Sequence, residues 1–104
     1  MKKLNLDTFQ PFIQEGKKVV EFSADWCIDC KRIAPDLPAI EQKFSSSFEF
    51  AELDVDAVRA VAEKYNVKGI PTFIVFSDGT EVGRLPSRNA KTKEQVEEFL
   101  SSMK

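Results

Sequence analysis

The chain predicts an α/β fold in which a central mixed β-sheet is flanked by helices on both faces, in the order β-α-β-α-β-α-β-β-α. Short apolar runs rich in Val, Ile and Phe alternate with segments whose apolar residues recur at helical spacing. The only two cysteines, Cys27 and Cys30, directly follow one such run, Val19-Val20-Glu21-Phe22. With 104 residues, 42% of them hydrophobic and nine of them Phe, the chain is long enough to enclose one core and too short for two. Residues 1–104 therefore read as a single domain.

The elements follow in order. Lys2 to Asn5 reads as a short first strand, after which Asp7 caps a helix that turns Phe9, Phe12 and Ile13 inward and ends at Gly16. Pro11 falls within the first turn or so of that helix, where its missing N–H is harmless. Lys18 to Ser23 is the second strand. The helix after it runs from the cysteines to about Phe44, with Pro35 and Pro38 bending it or breaking it in two. Ser45-Ser46-Ser47 is a loop, Phe48 to Asp54 the third strand, and Ala57 to Tyr65 the third helix, with Val58, Val61, Ala62 and Tyr65 at helical spacing. Gly69-Ile70-Pro71 turns the chain into the strand Thr72 to Phe76, and Asp78-Gly79 makes a hairpin turn into a fifth strand, Thr80 to Leu85. The last helix, Thr92 to Met103, presents Val96, Phe99, Leu100 and Met103 on one side.

A net charge of −2 gives no sign of nucleic-acid binding. Met1-Lys2-Lys3 begins like a secretory signal, but Asn5 and Asp7 interrupt the apolar stretch that such a signal or a membrane span requires. The expected location is therefore the cytoplasm, where a lone cysteine pair is more often catalytic than structural.

The cysteine spacing has chemical content. Positions i and i+3 of a helix lie on one face about one turn apart, so two such side chains can close a disulfide. If Cys27 begins the helix, its sulfur sits where unpaired backbone N–H groups and the helix dipole favour an anion, which lowers its pKa and makes it the nucleophile. Cys30, one turn inside, is expected to be the more shielded and to act as the resolving thiol. Two other readings of the pair stand beside this one. The cysteines can be compact core residues, or half of a zinc site completed by a second copy, since the chain holds no histidine and no further cysteine.

Glu21 interrupts an apolar strand. On a strand buried on both faces its carboxylate carries a desolvation cost that raises its pKa, whereas on an edge strand the alternation turns it to solvent.

Several motifs in the same order resemble the thioredoxin family over nearly the whole chain. They are Ala24-Asp25-Trp26-Cys27 through Cys30-Lys31, Ile33-Ala34-Pro35, Leu53-Asp54-Val55-Asp56, Tyr65 through Thr72, and Phe76 with Asp78-Gly79. The resemblance implies the thioredoxin fold and a protein disulfide oxidoreductase in which Cys27 attacks and Cys30 resolves. Pro71 then corresponds to the family's cis-proline beside the disulfide, and the Ile70 backbone pairs with an extended substrate segment. Trp26, Ile28 and Ile70 form an apolar rim around Cys27. Glu21 corresponds to the family's buried Asp and becomes the general base toward Cys30. Taken alone, Ile70-Pro71 reads as an ordinary loop before a strand.

The same resemblance implies disulfide-containing protein substrates, no bound cofactor or metal, and reducing equivalents from a flavoprotein reductase or another dithiol donor, for a protein expected to be monomeric. A non-catalytic interaction module of the same fold is the alternative.

The chain departs from the family at several positions. Glu52 stands where thioredoxins commonly place a Lys near the buried Asp, so two acidic groups are expected to couple there. Ile28-Asp29 replaces Gly-Pro, and the Asp29 charge is expected to disfavour the Cys27 thiolate, while also suiting the first turn of a helix. Ser23 stands where bacterial thioredoxins often have Trp. Pro86-Ser87-Arg88-Asn89-Ala90 replaces a Val-Gly docking segment.

Overall fold

A computed structural model describes residues 1–104. The strands are β1 (Lys2–Lys3), β2 (Lys17–Ser23), β3 (Glu49–Asp54), β4 (Thr72–Ser77) and β5 (Thr80–Leu85). The helices are α1 (Phe9–Ile13), α2 (Ile28–Ile33), α3 (Leu37–Lys43), α4 (Arg59–Lys64) and α5 (Lys93–Met103). The five strands form one sheet in the order β1-β3-β2-β4-β5, with β1 and β2 parallel to β3, and β4 antiparallel to both β2 and β5. This is the mixed sheet and the element order that the sequence predicts.

Strand alternation sorts side chains to two faces. Val20, Phe22, Ala51, Leu53, Ile74 and Phe76 pack in one core with Phe9, Phe12 and Ile13 of α1 and with Val61 and Ala62 of α4. Val19, Phe50, Phe73 and Val75 pack in the other with Ile33 of α2, Ile40 of α3 and Val96 and Leu100 of α5. Because β2 lies between β3 and β4, it is covered on both faces and paired along both edges. Glu21, one residue after Val20, belongs to the face covered by α2 and α3.

Local chemistry explains where element boundaries differ from the sequence reading. β1 ends at Lys3 rather than Asn5, since the Asn5 Oδ1 turns back to accept the backbone N–H groups of Asp7 and Thr8, each at 2.9 Å. Asn5, not Asp7, thus organises the entry to α1, and the residue at its N-cap is Thr8. Helix α4 starts at Arg59 rather than Ala57, because Asp54 Oδ1 accepts from the N–H groups of Asp56 (2.8 Å) and Ala57 (3.1 Å) and holds that stretch as a turn.

The long helix after the cysteines is broken in two, with a 3₁₀ turn over Ala34–Asp36 between α2 and α3. Pro35 and Pro38 lack the N–H groups a continuous helix would require. A second 3₁₀ turn, Ser87–Asn89, falls in the segment Pro86 to Ala90 and had no signal in the apolar periodicity. At the hairpin, Asp78 (φ 49°) and Gly79 (φ 87°) both take positive φ, as a two-residue turn of this hand requires. Helix α5 opens on a capping box: the Thr92 side chain accepts from the Gln95 N–H, and the Gln95 side chain accepts from the Thr92 N–H.

Candidate active site

Strand β2 delivers the chain to the site at its carboxyl end. The Cys27 N–H bonds to the Ala24 carbonyl at 3.2 Å, closing a turn, and Cys27 then stands at the N-cap of α2 in an extended conformation. Its Sγ accepts the Cys30 backbone N–H at 3.1 Å. A donor there stabilises negative charge on sulfur, which is the condition for a nucleophilic thiolate. Cys27 and Cys30 are joined as a disulfide, with Cα atoms 5.2 Å apart.

The expectation that Cys30 is the more shielded of the two is corrected by the structure: in the disulfide Cys27 is 5% exposed and Cys30 6%. Both sulfurs lie under the packing of Ala24, Val55 and Ile70. They differ instead in what they face. Cys27 borders an open surface groove with Trp26, Ile28, Lys68 and Ile70, whereas Cys30 borders a cleft of about 430 Å³ that leads to Glu21.

The rim of the groove is apolar and projecting. Trp26 is 65% and Ile28 69% exposed, with Ile70 half-buried opposite them. The Ile70-Pro71 peptide bond is cis, Pro71 is buried, and the Ile70 carbonyl oxygen lies 3.6 Å from Cys27 Sγ. The Thr72 hydroxyl donates to the Gly69 carbonyl at 2.5 Å and ties the turn down. Trp26 is held in place by its indole Nε1–H, which donates to Asp56 Oδ2 at 2.7 Å. The sequence marks Asp56 only as part of Leu-Asp-Val-Asp, and nothing in local spacing pairs residues 30 apart.

Glu21 is 3% exposed. Burial pushes its carboxyl up to about 7, and the nearby Glu52 carboxylate adds to the shift. The cleft beside it is lined by Cys30, Ala34 and Leu37 on one side and by Lys3, Glu52 and Asp54 on the other. A carboxyl group that titrates near neutrality beside a thiol can hold or release that thiol's proton.

Asp29 differs from expectation in its surroundings. Lys91 Nζ lies 2.6 Å from Asp29 Oδ2 and Arg32 Nη1 3.4 Å from Oδ1. The hydrogen bond from Lys91 holds the Asp29 carboxyl below the usual carboxylate range, with further help from the charges of Lys91 and Arg32. The negative charge two residues after Cys27 therefore has two cationic partners, Lys91 and Arg32, and Lys91 is a residue that the sequence reading passed over. No cluster of three or more His, Cys, Asp or Glu residues is placed to hold a metal ion.

Comparison with known proteins agrees with this geometry. A family model described as Thioredoxin matches residues 1–102. The chain is 38% identical over 85 residues to a thioredoxin of Chlamydia caviae, covering 82% of each chain. It is 39% identical over 90 residues to a thioredoxin of Echinococcus granulosus, covering 86% of this chain and 83% of the other. It is also 40% identical over 83 residues to a thioredoxin of Staphylococcus haemolyticus, covering 80% of each.

Proposed function

This chain belongs to the thioredoxin family and is a thiol-disulfide oxidoreductase, and we propose that Cys27 is its attacking thiolate, Cys30 its resolving thiol and Glu21 the group that takes the Cys30 proton. In the reduced protein the Cys27 thiolate attacks one sulfur of a substrate disulfide, forming a mixed disulfide and expelling the other substrate sulfur as a thiolate. Cys30 then passes its proton to Glu21 and attacks Cys27 Sγ. The second substrate sulfur departs as a thiolate, and the Cys27–Cys30 disulfide is left behind. The substrate gains two electrons and the cysteine pair loses two.

The observation that carries this reading is the division of labour around one disulfide. Cys27 has a backbone N–H at its sulfur and an open apolar groove before it, and Cys30 shares an inner cleft with a carboxyl that titrates near neutrality. The exposed Trp26 and Ile28, with Ile70 across from them and the buried Pro71 next in the chain, suit an extended apolar segment of a disulfide-containing protein. Electrons are returned to the pair by a flavoprotein reductase or another dithiol donor, and the chain itself carries no bound cofactor.

Residues 1–104 act as a single domain and a monomer, a reading supported by the scatter of the other exposed large apolar side chains, Met1, Leu6 and Val82. The cytoplasm is the proposed compartment, on the argument that a lone exchangeable cysteine pair belongs where thiols are kept reduced. With dithiothreitol as donor, reduction of a disulfide-bonded protein should fall to background in Cys27→Ser. It should also slow at neutral pH in Glu21→Gln, by roughly two orders of magnitude, the low end for the loss of a positioned base. Full activity in Cys27→Ser would overturn Cys27 as the attacking thiolate, and a wild-type chain no faster than dithiothreitol alone would leave a binding module.

A further inference from the structure

Lys3, Glu52 and Glu21 stand side by side on three adjacent strands. Lys3 of β1 is the register partner of Glu52 of β3, and Glu52 is the register partner of Glu21 of β2. Residues paired in this way share a sheet face at a strand spacing of about 4.8 Å. All three line the cleft that holds Cys30. Their exposure climbs steeply outward: Glu21 is 3% exposed, the Glu52 side chain 26% and the Lys3 side chain 80%.

Two carboxylates opposite each other on neighbouring strands repel, and the inner one lacks the water that would screen it. The outer one has a counter-charge, since Lys3 Nζ lies 3.9 Å from Glu52 Oε1. The arrangement thus favours the protonated form of Glu21, on top of the larger effect of its burial.

The remaining groups around Glu21 do not compete for this role. Its partner on β4 is Phe73, which is apolar. Asp54 of β3 is committed to the N–H groups of Asp56 and Ala57. Asp25, after β2, and Lys31 of α2 are exposed at the mouth of the cleft.

We propose that Glu52 is a positioning residue that sets the pH at which Glu21 can take the proton of Cys30, with Lys3 adjusting it from the outer strand. The proposal rests on the reading of Glu21 as that proton acceptor. It gives opposite signs for two conservative changes. Glu52→Gln removes the repulsion and should make Glu21 ionise at lower pH. Lys3→Met removes the charge that offsets Glu52 and should make Glu21 ionise at higher pH.

The test joins two readouts on the full chain. Carboxyl NMR follows the titration of Glu21 in the oxidised protein, and rapid-mixing kinetics follow the pH dependence with which Cys30 resolves a preformed mixed disulfide on Cys27. The Glu21 midpoint should fall by roughly one pH unit in Glu52→Gln, the size of one close charge. It should rise in Lys3→Met, and the inflection of the resolving rate should move with it in both variants. An unmoved Glu21 midpoint in Glu52→Gln would overturn the role assigned to Glu52. A midpoint that moves while the rate profile stays in place would instead overturn Glu21 as the acceptor.

Discussion

At the scale of single residues, Cys27 and Cys30 differ by direction rather than by depth. Both are covered in the disulfide, but one faces the apolar groove and the other the acidic cleft. Spacing alone exposed the pair, and helix geometry assigned the nearer cysteine to the N-cap. Glu21 was harder to read, because Val-Val-Glu-Phe fits an edge strand as well as a central one; only the pairing of β2 with both β3 and β4 buries it. That burial has a measurable consequence. With its pKa raised from 4.5 to about 7, Glu21 binds more proton in the folded chain than in the unfolded one between those values. Its contribution to stability is therefore whole below about pH 4.5 and is lost as pH rises through about 7, a loss of roughly 3 kcal/mol. Urea unfolding of the oxidised protein should show that decline between about pH 5 and about pH 8, and Glu21→Gln should flatten it. Equal pH dependence in the two proteins would contradict the burial argument.

At the scale of elements, what positions the groove is the backing of the Gly69-Ile70-Pro71 turn by the 3₁₀ turn Ser87–Asn89. A Cβ on Gly69 would overlap the Ser87 hydroxyl and come within 3.2 Å of its Cβ. Gly69→Ala should therefore push the Ile70 segment outward and lower kcat/KM for protein substrates roughly three- to tenfold, about 1 kcal/mol. Ser87→Gly in the same chain should restore most of it. Steady-state kinetics of the single and double variants would check this, and loss without rescue would point away from the contact. The strands, the hairpin and the break between α2 and α3 were legible from short apolar runs, from Asp78-Gly79 and from Pro35 and Pro38. The contacts of Ser87 with Gly69, of Asp56 with Trp26 and of Lys91 with Asp29 were not, because each joins residues at least 18 apart through side chains that carry no periodic signal. The early stop of β1 and the late start of α4 escaped for a different reason. The Asn5 and Asp54 side chains compete locally with regular backbone bonding, and such competition is decided by geometry rather than composition.

At the scale of the whole molecule, two apolar cores clasp one sheet, and the catalytic pair sits at the carboxyl end of its central strand. The cores hold the sheet on both faces, so α2 can present Cys27 outward while Cys30 meets the cleft that reaches Glu21, Glu52 and Lys3. No helix is long and apolar enough to cross a membrane. The two sulfurs open on different surfaces, and the proposed order of attack has a substrate meet Cys27 first. The direct measurement is peptide mapping by mass spectrometry after a disulfide-bonded protein is mixed with the reduced single-cysteine variants. Cys30→Ser should accumulate one stable mixed disulfide, located on Cys27, and Cys27→Ser should accumulate none. Comparable adducts on Cys30 in the Cys27→Ser variant would contradict the account.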